Sequence, residues 1–403
     1  MRNRWLIALA AIGLHISIGS VYAWSVLTRP IMVDMGFTLS QTTWTFSLAI
    51  LMLGLSAGFL GSFAEKIGPK KSGLLAMLFW VAGLFGTAYA LSIHSLTLLY
   101  LFYGIIGGIG LGIGYITPVS TLVKYFPNRP GFATGLAIMG FGFASLIAGP
   151  LMQYLVAHVG LVNNFIILGI TYLIVMSASS LYLKAPTPKE PTRSNQDKST
   201  MYVHNHGMLA NDAMKTWQFS ALWWVFFVNI TCGIGLLSLA SPMAQETISM
   251  TPAAAASLVG IIGIFNGGGR IAWSTISDFL GRAQTYILFF IMEIIAFYLL
   301  SQTNSALTFQ ILILLIITCY GGGFSCMPAY LADLYGIRQL STIHGRILTA
   351  WGLAGIAGPM IVSYFHEAGY GYSMALVCFA GLFVLNTIIA IVLKMYGKRD
   401  LHS

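Results

Sequence analysis

The feature that most constrains this chain is a series of twelve long apolar runs separated by short polar segments. A helix needs about 20 apolar residues to cross a bilayer, and each run is of that order. The runs are continuously apolar rather than alternating, which favours spanning helices over the strands of a membrane barrel. The sequence therefore predicts an all-α integral membrane protein with twelve transmembrane helices. The runs are 5–28, 43–63, 73–92, 97–122, 132–156, 162–184, 219–244, 252–276, 284–301, 308–331, 343–365 and 371–396.

The composition excludes a soluble protein. Only 8% of the 403 residues are charged, whereas ordinary soluble domains carry roughly 25%. Hydrophobic residues make up 57% and the mean hydropathy is +0.81, which also excludes a disordered or collagen-like chain. All four cysteines lie inside apolar runs, where a thiol behaves as a small hydrophobe. The sequence has no disulfide framework or metal-ligand spacing, so no metal or other cofactor is expected.

The distribution of basic residues predicts how the chain crosses the membrane. The length of the first run indicates a retained span rather than a cleaved signal peptide. If both termini and the connection 185–218 are cytoplasmic, 18 of the 20 Lys and Arg residues lie on that side, which leaves Arg29 outside and Arg270 within a run. The positive-inside rule favours this orientation over its reverse. Because the basic residues are spread between spans, no nucleic-acid partner is expected.

The second half of the chain repeats sequence features of the first half. Residues 185–218 between them are polar and rich in proline, as expected of a linker. We therefore predict an N-terminal six-helix half at 1–184, a cytoplasmic linker at 185–218 and a C-terminal six-helix half at 219–403, an arrangement of parallel repeats. Three pairs of glycines or prolines recur at separations of 213, 209 and 210 residues: Gly68 and Gly281, Pro150 and Pro359, and Pro118 and Pro328.

Two loops, 65–71 and 278–282, resemble the signature loop of the major facilitator superfamily, in which an acidic residue is followed by glycine and then by basic residues. The first copy departs from that pattern, with Glu65 where an aspartate is usual. The resemblance covers most of the chain and implies the superfamily's two pseudo-symmetric six-helix halves, in a monomeric multi-pass protein of a bacterial cytoplasmic membrane. Three further segments resemble the oxalate/formate antiporter and monocarboxylate transporter group of this superfamily: 19–25, 217–229 and 266–270.

Arg270 is the strongest candidate for a substrate-binding residue. It lies inside the eighth run, eight residues before Asp278, and so about 12 Å along the helix from its cytoplasmic end. A guanidinium at that depth costs at least ~2.5–3.5 kcal/mol, and such residues usually face a cavity and serve function. The structural alternative is an ion pair with a buried acid, for which Glu293 on another run is the one carboxylate well inside the apolar sequence. A carboxylate substrate would supply the countercharge through a bidentate bond, and in the resembling group an arginine at this position binds it.

At two positions this chain differs from the transporter group that it resembles, and the differences bear on the charge of the substrate and on proton coupling. Oxalate-transporting members carry a lysine where Trp351 aligns, so the single cation here favours a monoanion such as lactate, pyruvate or formate. Animal monocarboxylate transporters have an aspartate one turn before the arginine, where this chain has Asn266. An asparagine cannot carry a proton. It either orients Arg270 across one helical turn or makes a plain hydrogen bond between helices.

Proton coupling, if it occurs, would be sought at His15, Glu293 and the Asn266 position. His15 lies near the middle of the first run, and histidine titrates near neutral pH. A histidine that only joins two helices is an equal alternative. Glu293 is the weaker candidate because the ninth span is usually peripheral in this superfamily, where a neutral acid bonded to a neighbouring helix is expected.

Further candidates for substrate contact are aromatic or polar, and each of the aromatics is also compatible with packing alone. These are Tyr22, Tyr115, Asn229, Tyr320, Phe324 and Trp351. Charged residues at the cytoplasmic ends of spans are candidates for gating ion pairs. These are Asp278, Arg282, Asp333 and Arg346, with Arg338 beside them.

The sequence favours a secondary transporter that moves small monocarboxylates by alternating access together with a proton. An exchanger that swaps two carboxylates is the second hypothesis. A transporter-like carboxylate sensor is a third, although the linker 185–218 is short for a partner-docking segment. No enzyme is expected, because the sequence has no H-E-x-x-H, no paired intramembrane aspartates and no G-x-S-x-G elbow. A single cation also points to anions rather than to the substrates of a drug pump.

Overall fold

The computed structural model describes four stretches of the chain: 3–125, 130–184, 207–336 and 339–396. Most of the expected linker, residues 185–206, lies outside the described residues, as do Arg338 and the side chain of Glu65. Within those four stretches the chain is almost wholly helical. The one β-type pairing there is an isolated antiparallel bridge between Gly207 and Gly336.

Six helices form the first half. In chain order they are α1, Arg4–Gly19 continued by Ser20–Ala23 and Ser25–Met35; α2, Leu39–Ile67; α3, Pro69–Ser92; α4, Leu96–Leu99 continued by Tyr100–Gly107 and Gly108–Tyr125; and α5 and α6, which share the run Pro130–Tyr182. A 3-10 turn interrupts α1 at its second segment, and α4 contains a π-helical second segment. The shared run breaks at Gly160, where φ is 83°, a value that glycine adopts without steric cost.

Six helices form the second half. In chain order they are α7, Trp217–Ser238 continued by Ala240–Thr247; α8, Pro252–Leu280; α9, Arg282–Gln302; α10, Ala306–Tyr335; α11, Leu340–Ile347 continued by Thr349–Phe365; and α12, Gly371–Tyr396. A break at Leu239 interrupts α7 as the 3-10 turn interrupts α1. The two halves therefore share an irregular first helix.

The helices cross a membrane twelve times. Ten stretches of the described chain are long and apolar enough to span, and two of them, Leu136–Tyr182 and Thr342–Tyr396, are 47 and 55 residues long. Each of these two holds two helices, which meet at Gly160 and at the turn His366–Tyr370. The predicted fold class is confirmed. The first span, however, continues to Met35, beyond the predicted end at residue 28.

The repeat is visible in local geometry. Helices α2 and α8 are each 29 residues long, and their bounds differ by 213 residues at both ends. Thr38 and Thr251 cap their starts with hydroxyls that accept a backbone N–H three residues later. Gly68 and Gly281 end them with φ of 82° and 92° and begin the next helix. The same caps and turns therefore build both halves.

Close packing at glycines places α8 between the halves. A Cβ atom on Gly142 of α5 would lie 2.9 Å from Gly267 of α8, so these two helices touch backbone to backbone. On the other side of α8, a Cβ atom on Gly269 would lie 2.5 Å from the carbonyl oxygen of Thr318 on α10. The glycine run 267–269 thus lets α8 approach one helix of each half. Arg270 follows directly and lies at this junction.

Candidate functional site

Arg270 lies buried in the middle of the molecule, with 1% of its surface exposed. Its Nε donates a hydrogen bond to Oδ1 of Asn266 at 3.3 Å, one helical turn earlier on the same face of α8. Its Cζ lies 4.9 Å from the ring centroid of Phe324 on α10, a cation–π distance. The orienting contact between Asn266 and Arg270 is therefore present. The guanidinium is held at its inner nitrogen and against one aromatic face.

No hydrogen bond of ordinary geometry joins either outer nitrogen of Arg270 to a described residue. The hydroxyls of Tyr22 and Tyr115 are the nearby polar groups that interact with this guanidinium. No described carboxylate lies within ion-pair distance of this guanidinium, although surface pairs are present elsewhere. Glu293 instead accepts a hydrogen bond from Asn229. The ion pair that would have made Arg270 purely structural is thus not found in the described part of the chain.

A ring of buried aromatic side chains surrounds the guanidinium, drawn from both halves. The hydroxyls of Tyr22 on α1 and Tyr320 on α10 are 2.8 Å apart, a hydrogen bond across the two halves. Trp351 on α11 packs edge-on against Phe324 and Tyr115, with centroid separations of 4.8 and 5.1 Å. Arg270 interacts electrostatically with all three of Tyr22, Tyr115 and Tyr320. Five of the six predicted substrate contacts are therefore brought together here.

The site has more buried hydrogen-bond donors than acceptors. Nδ2 of Asn266 and Nε1 of Trp351 are buried without an acceptor among the described residues, as are Nη1 and Nη2 of Arg270. The tyrosine hydroxyls can serve either as donor or as acceptor. A buried donor without a partner costs about 1–3 kcal/mol. Four such donor atoms near one another, two of them on the cationic guanidinium, form a site whose chemistry matches an anion with several lone pairs, such as a carboxylate.

His15 borders the same site and is wholly buried. Its Nδ1 contacts the carbonyl oxygen of Ala137 on α5, and its Nε2 lies 3.0 Å from the carbonyl oxygen of Tyr115 on α4. Its ring lies 5.4 Å from that of Tyr115, centroid to centroid. Arg270 acts on it electrostatically. His15 therefore connects three helices, α1, α4 and α5, and lies near enough to the Arg270 guanidinium to be affected by its charge.

Asn229, the sixth predicted substrate contact, has its amide directed elsewhere. Its Nδ2 donates to Oε2 of Glu293 on α9 at 3.4 Å, and its Oδ1 lies against Gly323 of α10. Glu293 is fully buried and acts electrostatically on the thiols of Cys232 and Cys319. The neighbouring-helix bond that the sequence favours for Glu293 is therefore present, and its partner is Asn229.

The predicted gating residues form two clusters, one within the second half and one between α11 and the end of the expected linker. Arg282 makes ion pairs with Asp278 at 2.6 Å and with Asp333 at 3.6 Å. Arg346 donates a hydrogen bond to Asn211 at 2.8 Å. None of these described contacts joins the first half to the second, so a gating role for them stays a prediction.

Two features of the structure had no counterpart among the predicted residues. Phe141 of α5 packs edge-on against Tyr22, Tyr115 and Trp351, with centroid separations of 4.9, 5.5 and 6.0 Å. It is one of 25 phenylalanines, and no sequence signal distinguishes it.

The second feature is a set of polar contacts between the halves at the end opposite the linker, which we call the clamp. Arg29 donates to Gln245 at 3.0 Å and lies 3.9 Å from a carboxylate oxygen of Glu246. The backbone N–H of Ser40 donates to Glu367 at 2.6 Å. The isolated position of Arg29 on the far side of the predicted topology is the signal that could have found the clamp.

Comparison with known proteins agrees with this architecture. The sequence profile of the Major Facilitator Superfamily matches residues 7–282 and, in a second match, 222–401. The chain belongs to this superfamily. It is 27% identical to an uncharacterised MFS-type transporter, YhjX, of Escherichia coli (strain K12), over 88% of this chain and 86% of the relative. It is 25% identical to the oxalate:formate antiporter of Oxalobacter formigenes, over 88% of this chain and 83% of the relative.

Similarity extends to the monocarboxylate transporters. The chain is 22% identical to monocarboxylate transporter 10 of mouse, over 89% of this chain and 71% of the relative. Among solved structures, a bacterial homologue of the human lysosomal transporter Spinster, in an inward-facing and unoccupied conformation, matches with a TM-score of 0.75 and 14% identity over 97% of each chain. At that identity the structural match supports the fold alone. The predicted resemblance to the oxalate/formate antiporter and monocarboxylate transporter group is confirmed.

Proposed function

We propose that this protein is a secondary transporter that moves small monocarboxylates of the lactate and pyruvate type by alternating access, driven by a proton gradient. The observation that carries the proposal is the Arg270 guanidinium, which is buried while both outer nitrogens lack an acceptor among the described residues. Intramembrane charges without a protein partner mark substrate pathways. A carboxylate fits the two parallel donors of a guanidinium in a bidentate bond.

The surroundings of Arg270 favour a short monoanion. The resemblance to the oxalate group aligns Trp351 with a second cation of that group, and Trp351 instead adds one N–H donor and an apolar wall. The rings of Phe324, Phe141 and Trp351 suit a short alkyl group beside the carboxylate. One cation matches one negative charge, so lactate, pyruvate or formate fits better than oxalate.

The position of the site supports alternating access. Arg270 and Phe324 belong to the second half, whereas Tyr22 and Tyr115 belong to the first. A substrate held between them contacts both halves, so rocking of one half against the other would change its access from one side to the other. We place the protein in the bacterial cytoplasmic membrane as a monomer, with both termini in the cytoplasm.

Exchange of two carboxylates is the second candidate, because one relative is named as an oxalate:formate antiporter. Uptake of radiolabelled L-lactate into proteoliposomes that contain no internal substrate separates the two. Accumulation that depends on an inward proton gradient supports symport. Uptake that requires preloading with an internal carboxylate, with or without a proton gradient, supports exchange. No movement of any small carboxylate in either format contradicts the proposed function.

Arg270→Lys tests the binding role directly. Lysine keeps the charge but cannot make the bidentate bond, and hydrogen bonds to charged groups are worth about 1.5–3 kcal/mol, so uptake should fall about 10- to 100-fold while expression is retained. Arg4→Lys, at an exposed position on α1, is the matched control and should leave uptake unchanged. Normal uptake by Arg270→Lys would remove Arg270 from the substrate site.

A further inference from the structure

His15 is held in a way that an uncharged imidazole does not satisfy. Both of its ring nitrogens face backbone carbonyl oxygens, those of Ala137 and Tyr115. Carbonyl oxygens only accept hydrogen bonds, and a neutral imidazole has one N–H to donate. In either tautomer, one ring nitrogen therefore faces a carbonyl with its lone pair. Only the doubly protonated ring donates to both oxygens.

The groups facing His15 explain why it would not hold a proton permanently. From α4 it faces the ring and carbonyl of Tyr115, from α5 the carbonyl of Ala137 and the ring of Phe141, and from α8 the charge of Arg270. Among the described residues these include no carboxylate. Burial itself is the main obstacle to a charge on His15, and the guanidinium of Arg270 adds repulsion in a site where charges are weakly screened.

A bound carboxylate would change that balance. It would neutralise Arg270, and protonation of His15 would then no longer add a second unbalanced positive charge. By thermodynamic linkage, an anion whose binding favours protonation of His15 is itself bound more tightly, by the same factor, when His15 is protonated. The empty site, with Arg270 charged and His15 neutral, has the same net charge as the site loaded with one anion and one proton.

We propose that His15 is the binding site for the co-transported proton, one proton for each carboxylate bound at Arg270. This inference rests on the proposed transport of carboxylates and names the residue that couples it to protons. The proton lies between three helices of the first half, and the carboxylate is held from the second half. The loaded pair therefore joins the two halves, so proton and anion move together.

The test compares two buried titratable positions in proteoliposomes. For the wild type, an inward proton gradient should drive lactate accumulation of up to about tenfold per pH unit, the limit for one proton per anion. His15→Gln keeps an amide donor for the carbonyls but cannot titrate. It should retain measurable exchange of labelled against unlabelled lactate while its gradient-driven accumulation falls to the level without a gradient. Glu293→Gln, at a buried carboxyl on α9, is the matched control and should still accumulate lactate.

A second measurement uses the wild-type protein, so it does not depend on whether a variant folds. Lactate added to purified wild-type protein in weakly buffered detergent should cause proton uptake, followed with a pH-sensitive dye. The His15 proposal is wrong if the wild-type protein exchanges lactate but neither responds to a proton gradient nor takes up protons. That result would leave the proposal of carboxylate transport intact. Gradient-driven accumulation that survives in His15→Gln, or is lost in Glu293→Gln, also overturns it. Wild-type protein that moves no small carboxylate overturns the proposed function itself.

Discussion

At the scale of single residues, Trp351 should decide between monoanions and dianions. It lies buried against Phe324 and Tyr115, both beside Arg270, and its Nε1 has no described acceptor. Trp351→Lys would add a second cation to the site. We expect oxalate to compete about 10-fold better against labelled lactate in this variant, because a charge-assisted hydrogen bond is worth about 1.5–3 kcal/mol.

Trp351→Phe serves as the control for that substitution, since it removes the indole N–H without adding charge. It should weaken lactate uptake by a few-fold and leave the preference for lactate over oxalate unchanged. If oxalate already outcompetes lactate in the wild type, the inference from a single cation is wrong.

The residue scale also shows how far sequence alone can reach. Arg270 was identifiable because a lone charge inside an apolar run is costly whatever surrounds it. The contact of Asn229 was harder to predict, because a polar side chain in a span indicates that a hydrogen-bond partner exists but not which residue it is. Its partner, Glu293, is 64 residues away along the chain. Phe141 carried no signal at all, since an aromatic ring in a membrane helix packs equally well against lipid, protein or substrate.

At the scale of helices, α8 holds Arg270 in place through its glycines. The Cβ atom of Gly269→Ala would lie 2.5 Å from the carbonyl oxygen of Thr318, a backbone atom that cannot move aside alone. Overpacking of this kind typically costs about 1–3 kcal/mol. We expect a lower melting temperature in detergent and reduced uptake, because α8 must shift away from α10.

Gly268→Ala is the neighbouring control. Outside the adjoining backbone of α8 and the two neighbouring residues, no atom lies within 4 Å of the Cβ atom it would introduce, and alanine is a better helix former than glycine by about 1 kcal/mol. This variant should keep or raise the melting temperature and transport normally. Equal effects of the two substitutions would mean that α8 and α10 are not packed as closely as the structure shows.

The helices themselves were largely predictable, because the length of an apolar run reflects the thickness of the bilayer. Their irregularities were not. The 3-10 turn Ser20–Ala23 in α1 and the π-helical stretch Tyr100–Gly107 in α4 depend on how neighbouring helices pack. The turn in α1 places Tyr22 beside Tyr320. A break of this kind inside a helix often marks a functional hinge, and here it lies at the candidate site.

At the scale of the whole molecule, the two halves meet along α5 and α8, along α2 and α11, and through the clamp. A Cβ atom on Gly54 of α2 would lie 2.5 Å from the backbone nitrogen of Gly352 on α11. The clamp adds polar contacts at one end only, which the basic residues of the sequence predict to be the outer end. Alternating access requires these clamp contacts to break while the close helix crossings act as pivots.

Glu367 offers a direct test of the clamp. Its carboxylate accepts from the backbone N–H of Ser40, one of the first N–H groups of α2, which have no partner within their own helix. Losing such a capping contact costs typically about 1 kcal/mol, so Glu367→Ala should speed hydrogen–deuterium exchange of residues 38–42 about fivefold. Asp212→Ala removes an exposed ion pair with Lys215 at the opposite end of the molecule and should leave that segment unchanged. If hydrogen–deuterium exchange is unaltered in Glu367→Ala, the clamp contacts are already broken in solution. The protein would then mainly populate a conformation that is open at the outer end.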